Sequence, residues 1–352
     1  MDIIVMLITV TLLLGFLVFI HEGGHYLAAR AFKVRVSEFM IGLPGPSVGF
    51  TRGETRFGIT AVPLGGYASI CGMAPASNNP QLKRVLGYAY RKGTVYMEDT
   101  AHDLFLSEEE AYELLEELSD WGSLKRPHRK DKVNVYRVPA KDGQPEGSPR
   151  PQENLEEFFA SEKSQQYCSL PFWKRCTILL AGPAMNLLWV FLAFIIIYSI
   201  MGLDLQNTQT GETFHRTWAP WESIVLGFKY LGMVVSAIIG LFNPATAAET
   251  VSNSTSVVGI AVMSKSALDS GFMDFLFFTA VISASLGLMN MLPIPPLDGG
   301  RFVVEVFQKI SRKVVSVRAL NYMSTVGVVL FTGFFLVMLN QDVQRFVFGN
   351  WG

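Results

Sequence analysis

Ile3-Ile4-Val5-Met6-Leu7-Ile8-Thr9-Val10-Thr11-Leu12-Leu13-Leu14-Gly15-Phe16-Leu17-Val18-Phe19-Ile20 runs without a charge into His21-Glu22-Gly23-Gly24-His25. An uncharged stretch of this length reads as a helix able to enter a bilayer. Residues four apart on a helix lie about 40° from each other around its axis, so two imidazoles at that spacing reach one metal ion. The glutamate after the first histidine then stands where a general base for water is needed. At the end of a soluble helix the same residues would be an ordinary solvated patch. Here three ionisable groups adjoin a membrane-type run, where such groups are costly and mark function. Asp2 stands where a signal peptide would be basic, and no small-x-small cleavage site precedes His21. Residues 3–30 are therefore expected to be a retained first span.

Composition agrees with a membrane protein. Half of the 352 residues are hydrophobic, only 17% are charged, and the mean hydropathy is +0.31. Lys+Arg (29) and Asp+Glu (30) nearly cancel, and no nucleic-acid partner is expected. Cys71, Cys168 and Cys176 have no paired spacing, so neither a disulfide framework nor a cysteine zinc site is indicated.

Three further apolar runs, 177–201, 275–292 and 323–339, are long enough to cross a bilayer. The stretch 224–242 contains Lys229 and several glycines and follows Trp218 and Trp221. It reads as an amphipathic or half-inserted helix. Of the Lys and Arg residues, twenty lie in 30–175, five in 301–318 and three in 203–273. The positive-inside rule then puts 30–175 and 301–318 in the cytoplasm, with 203–273 and both termini outside. Four spans satisfy that alternation; 224–242 as a fifth breaks it. The expected fold is a polytopic α-helical membrane protein with about four transmembrane helices. A membrane-associated β element follows the first helix, and the amphipathic or half-inserted helix precedes the third.

Residues 34–73 alternate and are rich in Gly and Pro, which predicts short strands or a membrane-associated hairpin. Residues 75–165 are polar and charged, and read as a solvated, partly disordered cytoplasmic insert. Within them Ser107-Glu108-Glu109-Glu110 predicts a capped acidic helix through Leu118. A basic cluster (Lys125, Arg126, Arg129, Lys130, Lys132) and a Pro/Gly-rich stretch follow. His102 and His128 lack ligand spacing and read as surface residues. The domain boundaries expected are 1–74, 75–170, 171–203, 204–273 and 274–352.

The second chemical signal is Asn290-Met291-Leu292-Pro293-Ile294-Pro295-Pro296-Leu297-Asp298-Gly299-Gly300-Arg301. Its prolines break the third run near the cytoplasmic end, and backbone freed at membrane depth must line protein or a water-filled cavity. Asp298 is placed there to be a third, carboxylate ligand, leaving a fourth position for water. Gly299-Gly300 permits close backbone approach, and Asn290 offers amide donors for a peptide or an oxyanion.

With these motifs the chain resembles the site-2 protease family of intramembrane zinc metalloproteases, whose bacterial branch includes envelope-stress proteases that cleave anti-sigma factors. The resemblance rests on His21 to His25, on Asn290 to Gly300, on Phe57 with Pro63-Leu64-Gly65-Gly66-Tyr67, and on Ala181-Gly182-Pro183-Ala184-Met185-Asn186. It covers most of the chain outside 75–165. It implies Zn2+ on His21, His25 and Asp298, with Glu22 as general base. It further implies substrate contacts from Asn186 and Asn290, and a β element near the site containing Gly65, Gly66 and Tyr67. The implied substrates are transmembrane proteins or peptides, cleaved in the bacterial inner membrane from the cytoplasmic side among membrane lipid. Anti-sigma factors and remnant signal peptides are examples, and an upstream site-1-type protease can act first. Two departures stand out. No stretch is long enough for the PDZ domain of the envelope-stress type, and Ser256-Val257-Val258-Gly259-Ile260 replaces a usual Gly-Pro. A metal-handling transporter and an inactive scaffold are the competing classes.

Overall fold

The computed structural model describes residues 2–62, 65–74, 79–127, 131, 134–141, 143–207 and 211–349. Pro63 and Leu64 of the β-element motif, and His128, Arg129, Lys130 and Lys132 of the insert, lie outside the described residues. The apolar N-terminal run forms helix α1, Asp2–Ala31. Its 30 residues reach roughly 45 Å at 1.5 Å per residue, enough to cross the hydrocarbon core and carry the histidines near its far end.

Four strands follow: β1 (Val36–Ile41), β2 (Ser47–Arg52), β3 (Thr55–Thr60) and β4 (Gly66–Ile70). They form one mixed sheet in the order β2-β3-β1-β4, so β4 is an edge strand. Strand β1 runs parallel to β3 and antiparallel to β4. The expected hairpin is thus part of a four-stranded sheet. Gly66 is required where β4 crosses α1: a Cβ there would lie 2.6 Å from Val18 Cγ1.

The described residues of the insert, expected to be solvated and partly disordered, hold regular elements. It contains α2 (Gln81–Lys92), β5 (Thr94–Tyr96), α3 (Met97–Leu104), α4 (Glu108–Asp120), β6 (Val135–Arg137) and α5 (Leu155–Ser164). Its own core includes Val85, Leu86, Ala89, Leu115, Leu118 and Trp121. The physical reason is a helical spacing that the high charge obscures: Leu82, Val85, Leu86 and Ala89 share one face of α2. The capped helix is present, with Ser107 accepting from the Glu110 amide. Helices α3 and α4 form a helix–turn–helix pair. The second helix carries Glu108, Glu109, Glu113 and Glu116, the wrong sign for a phosphate backbone.

The insert is bolted to the sheet. Arg35, between α1 and β1, sends its guanidinium to both oxygens of Glu162 on α5, at 2.8 and 2.9 Å, and to the carbonyl of Trp121. Ser123 also donates to Glu162. Burial alone would raise the Glu162 pKa, but the Arg35 bonds and charge, with the Ser123 hydroxyl, hold it below its ordinary value.

Helix α6 (Phe172–Phe194) continues in π-helical turns to Met201 and leads to a hairpin of β7 (Leu203–Gln206) and β8 (Thr213–Arg216). Then come α7 (Pro220–Leu241), α8 (Ala247–Asn253), α9 (Val257–Ser270), α10 (Phe272–Asn290), α11 (Asp298–Ser311) and α12 (Val317–Asp342). Among the described residues, 202–271 therefore hold a short hairpin and three helices instead of a PDZ-sized β domain.

Among the described residues, five helices are long and apolar enough to cross a membrane, by length and composition: Ile3–Ala31, Phe172–Met201, Pro220–Leu241, Phe272–Asn290 and Arg318–Phe346. The sequence suggests about four, with 224–242 an amphipathic or half-inserted helix. Apart from Glu222 in its first turn, Lys229 is the one charge in a helix whose remaining faces are largely apolar, which is why α7 qualifies.

Packing fixes the directions of the central helices. Phe16 meets Trp189 and Gly24 meets Ala181, so α1 and α6 are antiparallel. Thr279 bonds Trp189 and Ser283 bonds the Asn186 carbonyl, so α10 opposes α6 and parallels α1. Ser223 bonds Ser199 and Gly227 packs on Phe191, so α7 also opposes α6. Helix α9 folds back at Gly271, placing Ile260 and Ala267 in one cluster with Phe275, Phe278 and Leu17. It thereby returns the chain to the end of the bundle where α7 began.

Candidate active site

The two histidines and the distant aspartate converge. His21 Nε2 and His25 Nε2 each lie 3.2 Å from Asp298 Oδ2, and one ligand atom from each residue falls within 4.8 Å of the others. A tetrahedral ion with arms of about 2.0–2.1 Å has ligand atoms roughly 3.3 Å apart, so the donor set and its spacing fit zinc. Both histidines are buried, and Asp298 is partly exposed at the first position of α11.

Each imidazole is held from behind. His25 Nδ1 lies 2.8 Å from the Ile178 carbonyl; donation there leaves Nε2 with its lone pair towards the metal position. His21 Nδ1 lies 3.1 Å from Asn186 Nδ2, while Asn186 Oδ1 is buried without a partner. A half-turn of that amide lets Oδ1 accept from Nδ1–H, which satisfies both atoms and frees His21 Nε2 for a metal. The orphaned oxygen is thus what a zinc-binding His21 requires.

Glycines bring the helices this close. A Cβ on Gly24 would lie 2.3 Å from the Ala181 carbonyl oxygen, and one on Gly182 would lie 2.2 Å from His25 Nε2. Gly299 and Gly300 likewise approach the 291–295 backbone within 2.2–2.3 Å of where a Cβ would stand, seating the N-terminus of α11. Two turns beyond Asp298, buried Glu305 pairs with Arg175 at 3.1 Å and accepts from the Tyr167 hydroxyl at 3.2 Å. That contact fixes α11 against the start of α6.

Glu22 stands beside the sheet, and its Oε2 accepts the Ala68 amide of β4 at 2.9 Å. The Ala68 N–H therefore points away from β1, along the free edge of the sheet.

The sequence-read substrate group is dispersed. Asn186, expected to contact substrate, is fully buried behind His21, its Nδ2 3.1 Å from His21 Nδ1. Asn290 spends its amide on the Leu286 carbonyl at 3.0 Å. Gly65, at φ 94°, turns the chain into β4 and accepts from Gly42, next to Gly66 against α1. The Tyr67 hydroxyl donates to Glu38 at 2.9 Å; burial and that carboxylate push its pKa up to about 12. Sequence reasoning missed the Ile178 carbonyl, the Ala68 amide and the Arg175–Glu305 pair, since none belongs to a motif. Gly182 was quoted for the resemblance, without a packing role.

A model of peptidase family M50 matches residues 9–334. The chain belongs to peptidase family M50. The sigma-W regulator protease RasP of Bacillus subtilis is 22% identical over 429 aligned positions, covering 95% of this chain and 97% of that protein. The zinc metalloprotease RasP of Geobacillus kaustophilus is also 22% identical, covering 97% and 98%. A Clostridium acetobutylicum protein named as a zinc metalloprotease is 25% identical, covering 94% of each chain. The M50 chain is accordingly a zinc metalloprotease of the site-2 type, and the sequence resemblance holds.

Proposed function

We propose that this M50 protease cleaves peptide bonds within or beside transmembrane segments of membrane-protein substrates, at His21, Glu22, His25 and Asp298, from the cytoplasmic side of a bacterial inner membrane. The observation that carries the reading is the Ala68 N–H bonded to Glu22 Oε2. It puts a free strand edge beside the general base, within one turn of both histidines.

When bound, zinc supplies the Lewis acidity that activates water and polarises a peptide carbonyl. His21 and His25 hold their Nε2 atoms towards it, fixed by Asn186 and the Ile178 carbonyl. A substrate helix hides its carbonyls in its own hydrogen bonds, so it must unwind locally before attack. Pairing with the edge of β4 supplies replacement partners for the unwound backbone. Glu22 releases Ala68 to the substrate, takes a proton from water and delivers it to the leaving amine. The folded insert, anchored beside that edge through Arg35 and Glu162, takes part in gating.

The bundle supports the orientation. With α9 returning the chain, α7 crosses without reversing the side on which α10 begins. The segments 30–175 and 301–318 then share the histidine end of the bundle, and they hold most of the Lys and Arg. Substrates such as anti-sigma factors or remnant signal peptides, with or without prior trimming by a site-1-type protease, fit this placement.

The test is reconstitution of wild type and Glu22→Gln in liposomes with transmembrane substrates, read by N-terminal proteomics and zinc content. Glu22→Gln should keep zinc and lose roughly 10²- to 10⁴-fold in cleavage rate. Full activity in that variant overturns the reading. A metal-flux role instead predicts zinc transport that survives the substitution.

A further inference from the structure

Helix α11 turns its apolar side away from the protein. Val303, Phe307 and Ile310 recur four and then three residues apart, so they share one face of the helix. They are 44%, 53% and 78% exposed. The other side is the one that packs. Val304 and Glu305 are buried there, and Glu305 pairs with Arg175 and accepts from the Tyr167 hydroxyl. A helix on a water-facing surface places its apolar and charged groups the other way round.

The neighbours of α11 fix its level. It connects α10 to α12, both long and apolar enough to span, while its own 14 residues reach only about 21 Å. Both ends of α11 therefore lie at one face of the membrane. The Arg175–Glu305 pair sets its middle beside the start of α6. Trp173 is exposed there, with Lys174 Nζ 5.4 Å from its ring. An exposed indole beside a lysine at the end of a span marks the headgroup level.

Positive charge completes the pattern. Residues 306–318 contain Lys309, Arg312, Lys313 and Arg318 and no acidic residue. All four are exposed, and none makes an ion pair among the described residues. A short helix at headgroup level, with an outward apolar stripe and unpaired cations towards its end, is complementary to an anionic bilayer surface.

We propose that α11 is an interfacial helix seated on anionic phospholipid. Val303, Phe307 and Ile310 enter the acyl boundary, while Lys309, Arg312 and Lys313 hold headgroup phosphates. Asp298 is the first residue of the same helix. The lipid seat therefore steadies this carboxylate against His21 and His25, a consequence that rests on the proteolytic reading above. Anionic lipid then strengthens zinc retention without touching the site.

The experiment places the full chain in nanodiscs of phosphatidylcholine alone, or of phosphatidylcholine with an equal share of phosphatidylglycerol. Ile310→Trp reads the apolar face. Lipids brominated on their acyl chains should quench its added fluorescence; no quenching means that water or protein covers the face, and overturns the proposal. Hydrogen exchange reads the charges. With phosphatidylglycerol, exchange in 303–311 should slow by roughly a hundredfold, about fivefold for each of three cations. Inorganic phosphate added to phosphatidylcholine discs should not reproduce this slowing. The triple variant Lys309→Gln, Arg312→Gln, Lys313→Gln should match wild type in phosphatidylcholine, which a misfolded protein could not do, and lose the response to phosphatidylglycerol. A wild type indifferent to phosphatidylglycerol, or a triple variant that still responds, overturns the lipid seat. Chelator competition reads the consequence: wild type should hold zinc about tenfold more tightly with phosphatidylglycerol, and the triple variant equally in both discs. Equal retention by wild type in both discs overturns the coupling to Asp298. Absence of any Glu22-dependent cleavage would instead remove the protease reading and leave the lipid seat standing on quenching and exchange.

Discussion

Gly182→Ala tests whether the zinc site depends on the closeness of α1 and α6. The added Cβ would stand 2.2 Å from His25 Nε2, against an ordinary contact of at least 3.4 Å. The ring or the helix must therefore yield by about 1.2 Å. The ring has little freedom, because Nδ1 is tied to the Ile178 carbonyl at 2.8 Å and Ile178 lies on the same helix as Gly182. Metal–ligand distances tolerate only about 0.2 Å, so a shift of this size removes His25 as a ligand or pushes the helices apart. Disturbing a ligand's support typically costs 10- to 100-fold in metal affinity, and a misplacement of about 1 Å costs some 10²-fold in rate. The assay is zinc retention under chelator competition, measured by mass spectrometry on purified protein, with cleavage rate at saturating zinc. We expect at least tenfold weaker zinc and a residual rate near one per cent. Gly232→Ala, at a position with nothing within 4 Å of the added Cβ, is the control and should behave as wild type. If Gly182→Ala binds zinc and cleaves like wild type, the close crossing is not what positions His25.

Asn186→Leu should weaken zinc by 10- to 100-fold, whereas Asn186→Asp, which can accept from His21 Nδ1–H, should retain it; chelator competition on both variants separates the cases. Breaking the buried Arg35–Glu162 pair by Arg35→Met should loosen the insert from the sheet by about 3–5 kcal/mol, seen as faster hydrogen exchange in 155–166. Glu162 also sets a pH dependence at that junction. Its folded pKa lies below the ordinary 4.5, so its stabilisation is complete above that value and is lost as pH falls through the folded pKa. Exchange in 155–166 should accelerate selectively on acidification below about pH 4.5, and this pH response should vanish in Glu162→Gln.

Local chemistry made the site legible in the sequence. His21, Glu22 and His25 are close by helical spacing, and the proline-broken run before Asp298 marks backbone that must face a cavity. The supporting contacts were illegible because they join distant residues through groups common to every residue. The Ile178 carbonyl and the Ala68 amide carry no sequence signature at all. Asn186 was visible as a motif residue, but its place behind His21 depends on how α6 packs on α1, which no local spacing shows. The insert failed to read as folded for a different reason. Its surface charges are dense enough to hide the spacing of Leu82, Val85, Leu86 and Ala89, which becomes evident once α2 is packed on Leu115 and Leu118.

The span count shows how a sound rule met an unforeseen element. Charge alternation requires the chain to be on one side at Met201 and again at Phe272, which seemed to forbid a crossing between them. That inference assumed each crossing is undone only by another long apolar run. Helix α9 has 14 residues, about 21 Å at 1.5 Å per residue, and carries the Lys265–Asp269 pair; it is too short and too polar to register as a span. It packs against α1 and α10 through half-buried Ile260 and Ala267, with Gly259, Ala261 and Ser264 buried, so one of its faces rests on protein. The parallel course of α1 and α10 is what brings Asp298 to the level of His21. It survives the extra helix for that reason alone.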